Sequence, residues 1–177
     1  NMTLANLLVV DNHALGLGGG LNASYSPLRV EAVRFVNNSA REGGGQYSHN
    51  NVGIVMTDVV YQGNHASEQG GGLAEYVSTS VLDRLTFLNN SAILGGGGML
   101  ITDSTTRITN STFSGNLAGE TGTASDGGAI AIQSDQQVWV QDCTFEDNEA
   151  TGSGGAVDNY HSPSIWYRNV FVGNHAY

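Results

Sequence analysis

The acidic residues of this chain could hydrolyse a glycosidic bond only if two of them faced one cleft. Two carboxyl groups flanking the scissile bond are the usual machinery of that reaction. The densest acidic group comprises Asp142, Glu146, Asp147 and Glu149. These residues fall mostly where we expect the chain to bend, and solvated acids are common at bends. We therefore interpret them as surface residues and predict no catalytic residue.

Uronate lyase chemistry has a weaker basis still. It needs a base together with cations, often Ca²⁺ with Arg or Lys, to stabilise an enolate. The chain has six Arg, which are spread along it, and no Lys.

The histidines and the single cysteine are the other reactive side chains. His13, His65 and His175 each follow an equivalent Asn, and the first two should lie about 9.6 Å apart, which is too far for one metal ion to bridge. We interpret them as exposed bend residues. His49 and Glu75 are 26 residues apart and could meet on neighbouring repeats, as a candidate ligand or metal contact.

Composition excludes several classes of function. The chain has 177 residues, 25 of them Gly, and a net charge of −10, so nucleic-acid binding is not expected. No apolar run approaches 18 residues, and we expect no membrane insertion. One Cys, Cys143, permits no internal disulfide and no cysteine zinc cluster, and we predict a buried, inert thiol. The calcium nonapeptide is also absent, so no metal and no cofactor is predicted.

A repeat organises the whole chain. The phrase aromatic-x-x-Asn-x-Ala recurs with intervals of 26 residues, apart from one interval of 32. We call its Asn the marker Asn. The marker Asn residues are Asn12, Asn38, Asn64, Asn90, Asn116, Asn148 and Asn174. Three residues before each marker stand Val9, Phe35, Tyr61, Phe87, Phe113, Phe145 and Phe171.

Glycine clusters follow the markers and precede short strands. Most begin six residues after a marker, as Gly44-Gly45 and Gly70-Gly71 do, and an apolar or aromatic residue follows each. These following residues are Leu21, Tyr47, Leu73, Met99, Ile130 and Val157. Three short strands and three bends then fit each period, which predicts an all-β fold: a right-handed, single-stranded parallel β-helix of about 26 residues per coil and six to seven coils.

The position before each marker holds only Gly, Asn or Asp, the residues that tolerate a left-handed backbone. We predict a sharp bend there, with the marker Asn pointing inward. Each marker amide should then bond the amide of the next coil and form an Asn ladder.

These motifs resemble a known repeat. Phe113-Ser114-Gly115-Asn116 with Gly127-Gly128-Ala129-Ile130, and the matching motifs around Asn148, are similar to the FxxN and GGA[ILV] repeats of chlamydial-type polymorphic outer-membrane proteins. In the earlier coils, Leu or Met after three glycines replaces the GGA-Ile form. The resemblance implies the surface-exposed passenger of an autotransported adhesin. It is specific for architecture and weak for activity, because one solenoid fold serves many functions.

Glycosylation sequons point to a location outside the cytosol. Five N-x-[ST] acceptors are present, namely Asn1, Asn22, Asn37, Asn89 and Asn110. We expect at least one to carry an N-glycan. The alternative is that the bend at Asn37 and Asn89 simply requires Asn.

Two surfaces suggest protein partners. Nine residues before the markers, apolar side chains at Val55, Val81, Trp139 and Ile165 should face outward and form a lateral contact stripe. Neither end has a recognisable polar cap. We therefore expect residues 1–177 to be one β-helix segment of a longer solenoid or filament, stacked end to end on flanking coils or other copies.

The predicted function is a non-catalytic, extracellular or cell-surface structural or adhesive β-solenoid, as a surface-appendage or filament component. Two alternatives stay open: a carbohydrate-active β-helix enzyme of the polysaccharide lyase or hydrolase type, and a carbohydrate-binding module. An active site normally disturbs several coils with long loops, whereas this chain has one insert, at 119–126. A binding module needs aligned, exposed aromatic rings.

Overall fold

A computed structural model describes residues 1–119, 123–134 and 136–177. Within these residues the chain forms 26 short strands and no helix. The strands belong to four parallel sheets that run along the solenoid. Part of the 119–126 insert lies outside the described residues.

Sheets I and II each contain seven strands. Sheet I consists of β1 (Met2–Ala5), β4 (Leu28–Glu31), β8 (Val52–Thr57), β12 (Thr79–Asp83), β16 (Thr105–Thr109), β20 (Gln137–Gln141) and β24 (Ser164–Tyr167). Sheet II consists of β2 (Leu8–Val10), β5 (Arg34–Val36), β9 (Val60–Gln62), β13 (Thr86–Leu88), β17 (Thr112–Ser114), β21 (Thr144–Glu146) and β25 (Val170–Val172).

Sheets III and IV each contain six strands. Sheet III consists of β6 (Ser39–Ala40), β10 (His65–Ala66), β14 (Ser91–Ala92), β18 (Leu117–Ala118), β22 (Glu149–Ala150) and β26 (His175–Ala176). Sheet IV consists of β3 (Leu21–Ser24), β7 (Gln46–His49), β11 (Leu73–Tyr76), β15 (Met99–Thr102), β19 (Ile130–Gln133) and β23 (Val157–Tyr160).

The predicted parallel β-solenoid is confirmed, with about seven turns whose repeat is about 26 residues. Each strand pairs with its equivalents one coil before and one coil after, as β13 does with β9 and β17. Every pairing is parallel, because each coil runs in the same direction around the axis. Equivalent residues therefore stack in columns along the solenoid.

The prediction of three strands per coil was wrong, because each complete coil has four. The missed strand is the two-residue element of sheet III that follows each marker Asn. A strand this short has no alternation of apolar and polar residues to read in the sequence.

Left-handed residues close the corners of each coil. The bend before the marker Asn is confirmed, since φ lies between +51° and +64° at all seven positions. Asn or Asp alternates with Gly along most of this column for a packing reason. Asn37 Oδ1 occupies space 2.7 Å from where a Cβ on Gly63 would stand, and Asn89 covers Gly115 in the same way.

The core is a narrow apolar stack enclosed by the four sheets. Sheet II contributes its aromatic column, and Phe35, Tyr61, Phe87, Phe113 and Phe145 are fully buried. Adjacent rings in this column stack with centroids 4.6–5.1 Å apart and planes within 12° of parallel. That spacing follows from the distance between paired strands.

One coil departs from the regular register. Gly43 begins a glycine triplet five residues after its marker, and sheet IV pairs Gln46, not Tyr47, with Leu73. The assignment of Tyr47 to the inward column was therefore wrong. A bulge at Gly53 in β8 then restores the register, since Thr79 pairs with Val52 whereas Ser80 pairs with Ile54. The marker interval stays at 26 because the two changes cancel.

Candidate functional site

The marker Asn residues form a continuous hydrogen-bonded column. Each marker Nδ2 donates to Oδ1 of the next marker at 2.8–3.0 Å, and the same Oδ1 also accepts from the preceding marker's backbone N–H. From Asn38 onward, Nδ2 also donates to the carbonyl of the aromatic-column residue one coil earlier, as Asn90 does to Tyr61. The five inner markers are fully buried, whereas Asn12 is exposed and Asn174 is half-buried.

The acids near the sixth marker do not converge on a cleft in the described residues. Asp142 is engaged in a bidentate contact with Arg168 at 2.6 Å. Hydrogen bonds from Arg168 and Gln141 lower the pKa of Asp142 to about 2. Glu146, Asp147 and Glu149 are exposed.

The histidines that follow the markers lie in or beside sheet III rather than at bends. His13 Nδ1 contacts Ser39 Oγ at 2.9 Å, and His65 Nδ1 contacts Ser91 Oγ at 3.0 Å. Each imidazole is exposed and bonded to a serine on the next coil. In the described residues no group of three or more His, Cys, Asp or Glu side chains could hold a metal ion.

The proposed meeting of His49 and Glu75 was wrong. Sheet IV pairs Glu75 with Ser48 and pairs His49 with Tyr76. The one-residue shift at Gly43 puts the two side chains on opposite faces, because neighbouring residues in a strand point to opposite sides. Glu75 lies inside the solenoid and is fully buried, whereas His49 lies outside.

A polar network occupies the core beside this shift. Tyr61, in the aromatic column, donates its hydroxyl to Gln46 Oε1 at 2.8 Å, and Gln46 Nε2 donates to Ser48 Oγ at 2.9 Å. Nearby, Thr106 Oγ1 donates to Glu75 Oε1 at 2.9 Å. Burial raises the pKa of Tyr61, and the Glu75 carboxyl raises it further.

The outer face of the same coils carries a row of rings that sequence reasoning missed. We call Tyr25, Tyr47, His49 and Tyr76 the aromatic patch. Tyr25 meets His49 edge-on with centroids 5.5 Å apart, Tyr47 lies 6.4 Å from His49, and Tyr47 lies 5.4 Å from Tyr76. The signal that could have found it was the third glycine of the triplet, Gly43, which moves Tyr47 and His49 to the outside.

An ionic group borders the aromatic patch. Arg41 bonds Glu42 and Glu68, each at 3.0 Å, and the Tyr76 hydroxyl donates to Gln69 Oε1 at 3.3 Å. Burial and the Glu42 carboxylate raise the pKa values of Tyr47 and Tyr76. Both phenols therefore stay protonated at neutral pH and can donate hydrogen bonds.

The lateral stripe lies on the outer side of sheet I. Val55 pairs with Val81, and Trp139 pairs with Ile165. Val81 and Ile165 are about half exposed, whereas Val55 and Trp139 are partly buried. Arg107 stands between the two pairs and divides the stripe.

The remaining sequence candidates are also placed by the structure. All five sequon Asn side chains are exposed. The Cys143 thiol is buried, and burial raises its pKa to about 11. A thiol that stays protonated is a poor nucleophile.

Comparison with known proteins identifies the repeat. Residues 110–133 and 142–160 match the Chlamydia polymorphic membrane protein repeat. The chain carries repeats of this type. No curated protein and no solved structure matches the chain.

Each conserved letter of the polymorphic membrane protein repeat has a position in this fold. The Phe of FxxN is the stacked ring of sheet II, and its Asn is the ladder residue. The glycines allow close contact between coils, since a Cβ on Gly128 would stand under 3.0 Å from the carbonyl of Gly155. The match therefore concerns how coils stack. The aromatic patch lies on earlier coils, outside the matched residues.

In the described part of the chain, no helix is long and apolar enough to cross a membrane.

Proposed function

We propose that this chain is a non-catalytic part of a surface-exposed β-solenoid with an adhesive role. The polymorphic membrane protein repeat supports a surface-associated or outer-membrane-associated β-helix protein. The observation that carries the non-catalytic part is the unbroken Asn column, which runs through every coil from Asn12 to Asn174. An active-site cleft would be expected to interrupt such a column with long loops.

The surface location can be tested on cells that make the protein. Antibodies raised against the purified chain should label intact cells as strongly as permeabilised cells. Antibodies against a cytosolic protein of the same cells provide the control. Labelling that appears only after permeabilisation would contradict a surface location.

The adhesive role needs a separate test. Beads coated with the purified chain should attach to cultured cells several-fold more than beads coated with the heat-denatured chain. Equal attachment of both bead types would count against adhesion and leave the surface location standing.

The proposal includes lateral contact through sheet I. Two half-exposed side chains, Val81 and Ile165, provide apolar area there. Substituting Asp at Val55 and Val81 should weaken any native association, measured by analytical ultracentrifugation. Unchanged assembly would rule this contact out.

End-to-end stacking is the second contact that we propose, with flanking coils or other copies. The outermost strands β2 and β25 expose apolar side chains such as Leu8 and Phe171 and have one unpaired edge each. Heterologous contacts of this kind produce open filaments. Concentration-dependent sedimentation that Leu8→Asp abolishes would support stacking, and a monomer at every concentration would contradict it.

N-glycans on the sequons stay part of the proposal. An intact mass of the native protein that exceeds the sequence mass by hexose and N-acetylhexosamine increments would support them. A mass that equals the sequence mass would exclude them.

A further inference from the structure

We infer that the aromatic patch, with its ionic border, binds neutral oligosaccharides. This inference rests on the proposed adhesive role and names its ligand class. Its first support is the way in which the fold brings the rings to the surface.

The glycine triplet fixes the register that exposes Tyr47 and His49. A Cβ on Gly44 would stand under 3.0 Å from the carbonyls of Gly71 and His65, so the triplet must align with the glycines of the next coil. With five residues between Asn38 and Gly43, Gln46 and Ser48 then point inward.

This register works against the hydrophobic effect. It buries an amide and a hydroxyl, which must be satisfied by hydrogen bonds, and it leaves two rings partly in water. In the coils before and after, the position of Gln46 holds Leu21 and Leu73. A local choice that opposes the rest of the fold is expected where a protein has a function to serve.

The backbone at Tyr25 points in the same direction. Tyr25 has φ +57° and is 75% exposed, at a corner where other coils have residues such as Asn50 and Asp103. A bulky residue in the left-handed region costs roughly 1–2 kcal/mol, and strain of this kind clusters at binding sites. The fold therefore holds an exposed ring in place at some expense of stability.

The rings are supported from below. Tyr47 and Tyr76 pack on a small apolar cluster formed by Ala74, Leu100 and Ala131, which are fully buried on the outer side of sheet IV. The patch is therefore held by the sheet and is not a set of free side chains. Preorganised rings lose little entropy when a ligand binds.

The chemistry of the patch fits a sugar chain. Tyrosine offers a broad apolar face for the C–H side of a pyranose and a hydroxyl for its polar edge. Beside the rings, Glu68 and Glu42 present hydrogen-bond acceptors and Arg41 presents donors, which suit ring hydroxyls. The row crosses three coils about 4.8 Å apart, comparable to the repeat of a pyranose chain.

The charge favours neutral glycans. The border has two carboxylates for one guanidinium, and the chain has a net charge of −10. Sialylated or sulfated glycans would be repelled by this field. The ligand class is therefore neutral oligosaccharides of hexose or N-acetylhexosamine units.

A glycan array probed with the full chain tests the inference. The array should contain neutral oligosaccharides together with their sialylated and sulfated forms. Binding is expected to neutral members only, and the strongest of them is then titrated by calorimetry. Tyr25→Ala and Tyr47→Ala should each raise Kd at least ten-fold.

Tyr160→Ala is the matched control. Tyr160 is 61% exposed and occupies the same outward column of sheet IV as His49 and Tyr76, three coils beyond Tyr76. Its variant should bind as the wild type does. Unfolding curves of all three variants distinguish loss of binding from loss of fold, and Tyr25 is exposed enough for its variant to stay folded.

Three outcomes would overturn the inference: no binding to any neutral oligosaccharide, binding to acidic glycans alone, or unchanged Kd in both patch variants. The bead assay separates this result from the proposed function. Beads that attach although the array is negative would preserve adhesion and point to a protein ligand. A positive array without bead attachment would preserve the sugar site and remove adhesion.

Discussion

The corner between sheets II and III and the outer face of sheet IV follow opposite rules. At the corner, the same residue types return in nearly every coil, because an amide must bond the next amide and a ring must stack on the next ring. On sheet IV, one outward column holds Asn22, Tyr47, Ala74, Leu100 and Ala131 in succession. Repetition marks the residues that build the solenoid, and variation marks the surface that is free to acquire a ligand.

Gly43 lies where the two regions meet. The corner requires the glycine triplet to align with its neighbours, and the sheet then receives whichever register this alignment imposes. The stacking rule therefore prevails over side-chain hydrophobicity in β7. The bulge at Gly53 restores the register within the same coil.

The largest expected effect breaks the repeated corner. Asn90→Leu should lower the free energy of unfolding by about 3 kcal/mol, because it leaves the amide of Asn64 and the carbonyl of Tyr61 buried without their partner. Chemical denaturation measures the change. Asn12→Leu is the control: Asn12 is exposed and ends the column, so its cost should stay under about 1 kcal/mol. Equal costs at the two sites would refute a cooperative column.

Much of the corner could be predicted from the sequence, and the sheet IV face could not. The marker Asn, the aromatic column and the left-handed bend recur at one interval, and each can be read without knowledge of strand bounds. The shift at Gly43 leaves that interval at 26, because a missing residue before β7 is offset by an extra one at Gly53. The position of Tyr47 depends on this single residue. Spacing between markers therefore could not reveal the aromatic patch.

A second prediction examines the polar network where the regions meet. Gln46→Leu alone should cost about 1–2 kcal/mol, because the Tyr61 hydroxyl loses its acceptor inside the core. Tyr61→Phe alone should cost about 1 kcal/mol. The double variant restores the apolar pattern of the other coils and should be close to wild type. A double-mutant cycle measured by denaturation checks this, and additive costs would show that the two side chains act independently.

A third prediction concerns strain on the variable face. Val77 has φ +49° and is 46% exposed, at the same corner position as Tyr25. β-branched residues are poor in this region, whereas Asn tolerates it. Val77→Asn should therefore raise the free energy of unfolding by about 1 kcal/mol. Asn50→Val, the reverse change one coil earlier, should lower it, since Asn50 has φ +52°. Two changes of the same sign would show that backbone strain does not decide stability here.

The smallest effect concerns Cys143, whose column is buried and regular on the side of the solenoid away from the aromatic patch. Burial raises the pKa of this thiol to about 11, from an ordinary value near 9. As pH rises from about 9 to 11, the unfolded chain loses the proton while the folded chain keeps it. The folded state should therefore lose stability across this window and lose no more above it.

Cys143→Val isolates this contribution, because Val33 and Val59 fill the same buried position in earlier coils. The stability of wild type relative to this variant should be constant below pH 8 and should fall between pH 9 and 11. The buried Tyr61 phenol is common to both proteins, so its ionisation cancels in the difference. Native thiol should also resist iodoacetamide at pH 9 and react once the chain is unfolded in urea. A difference that does not change with pH, or rapid alkylation of the native protein, would mean that Cys143 is reached by solvent and that this side of the solenoid is less tightly closed than its regular columns imply.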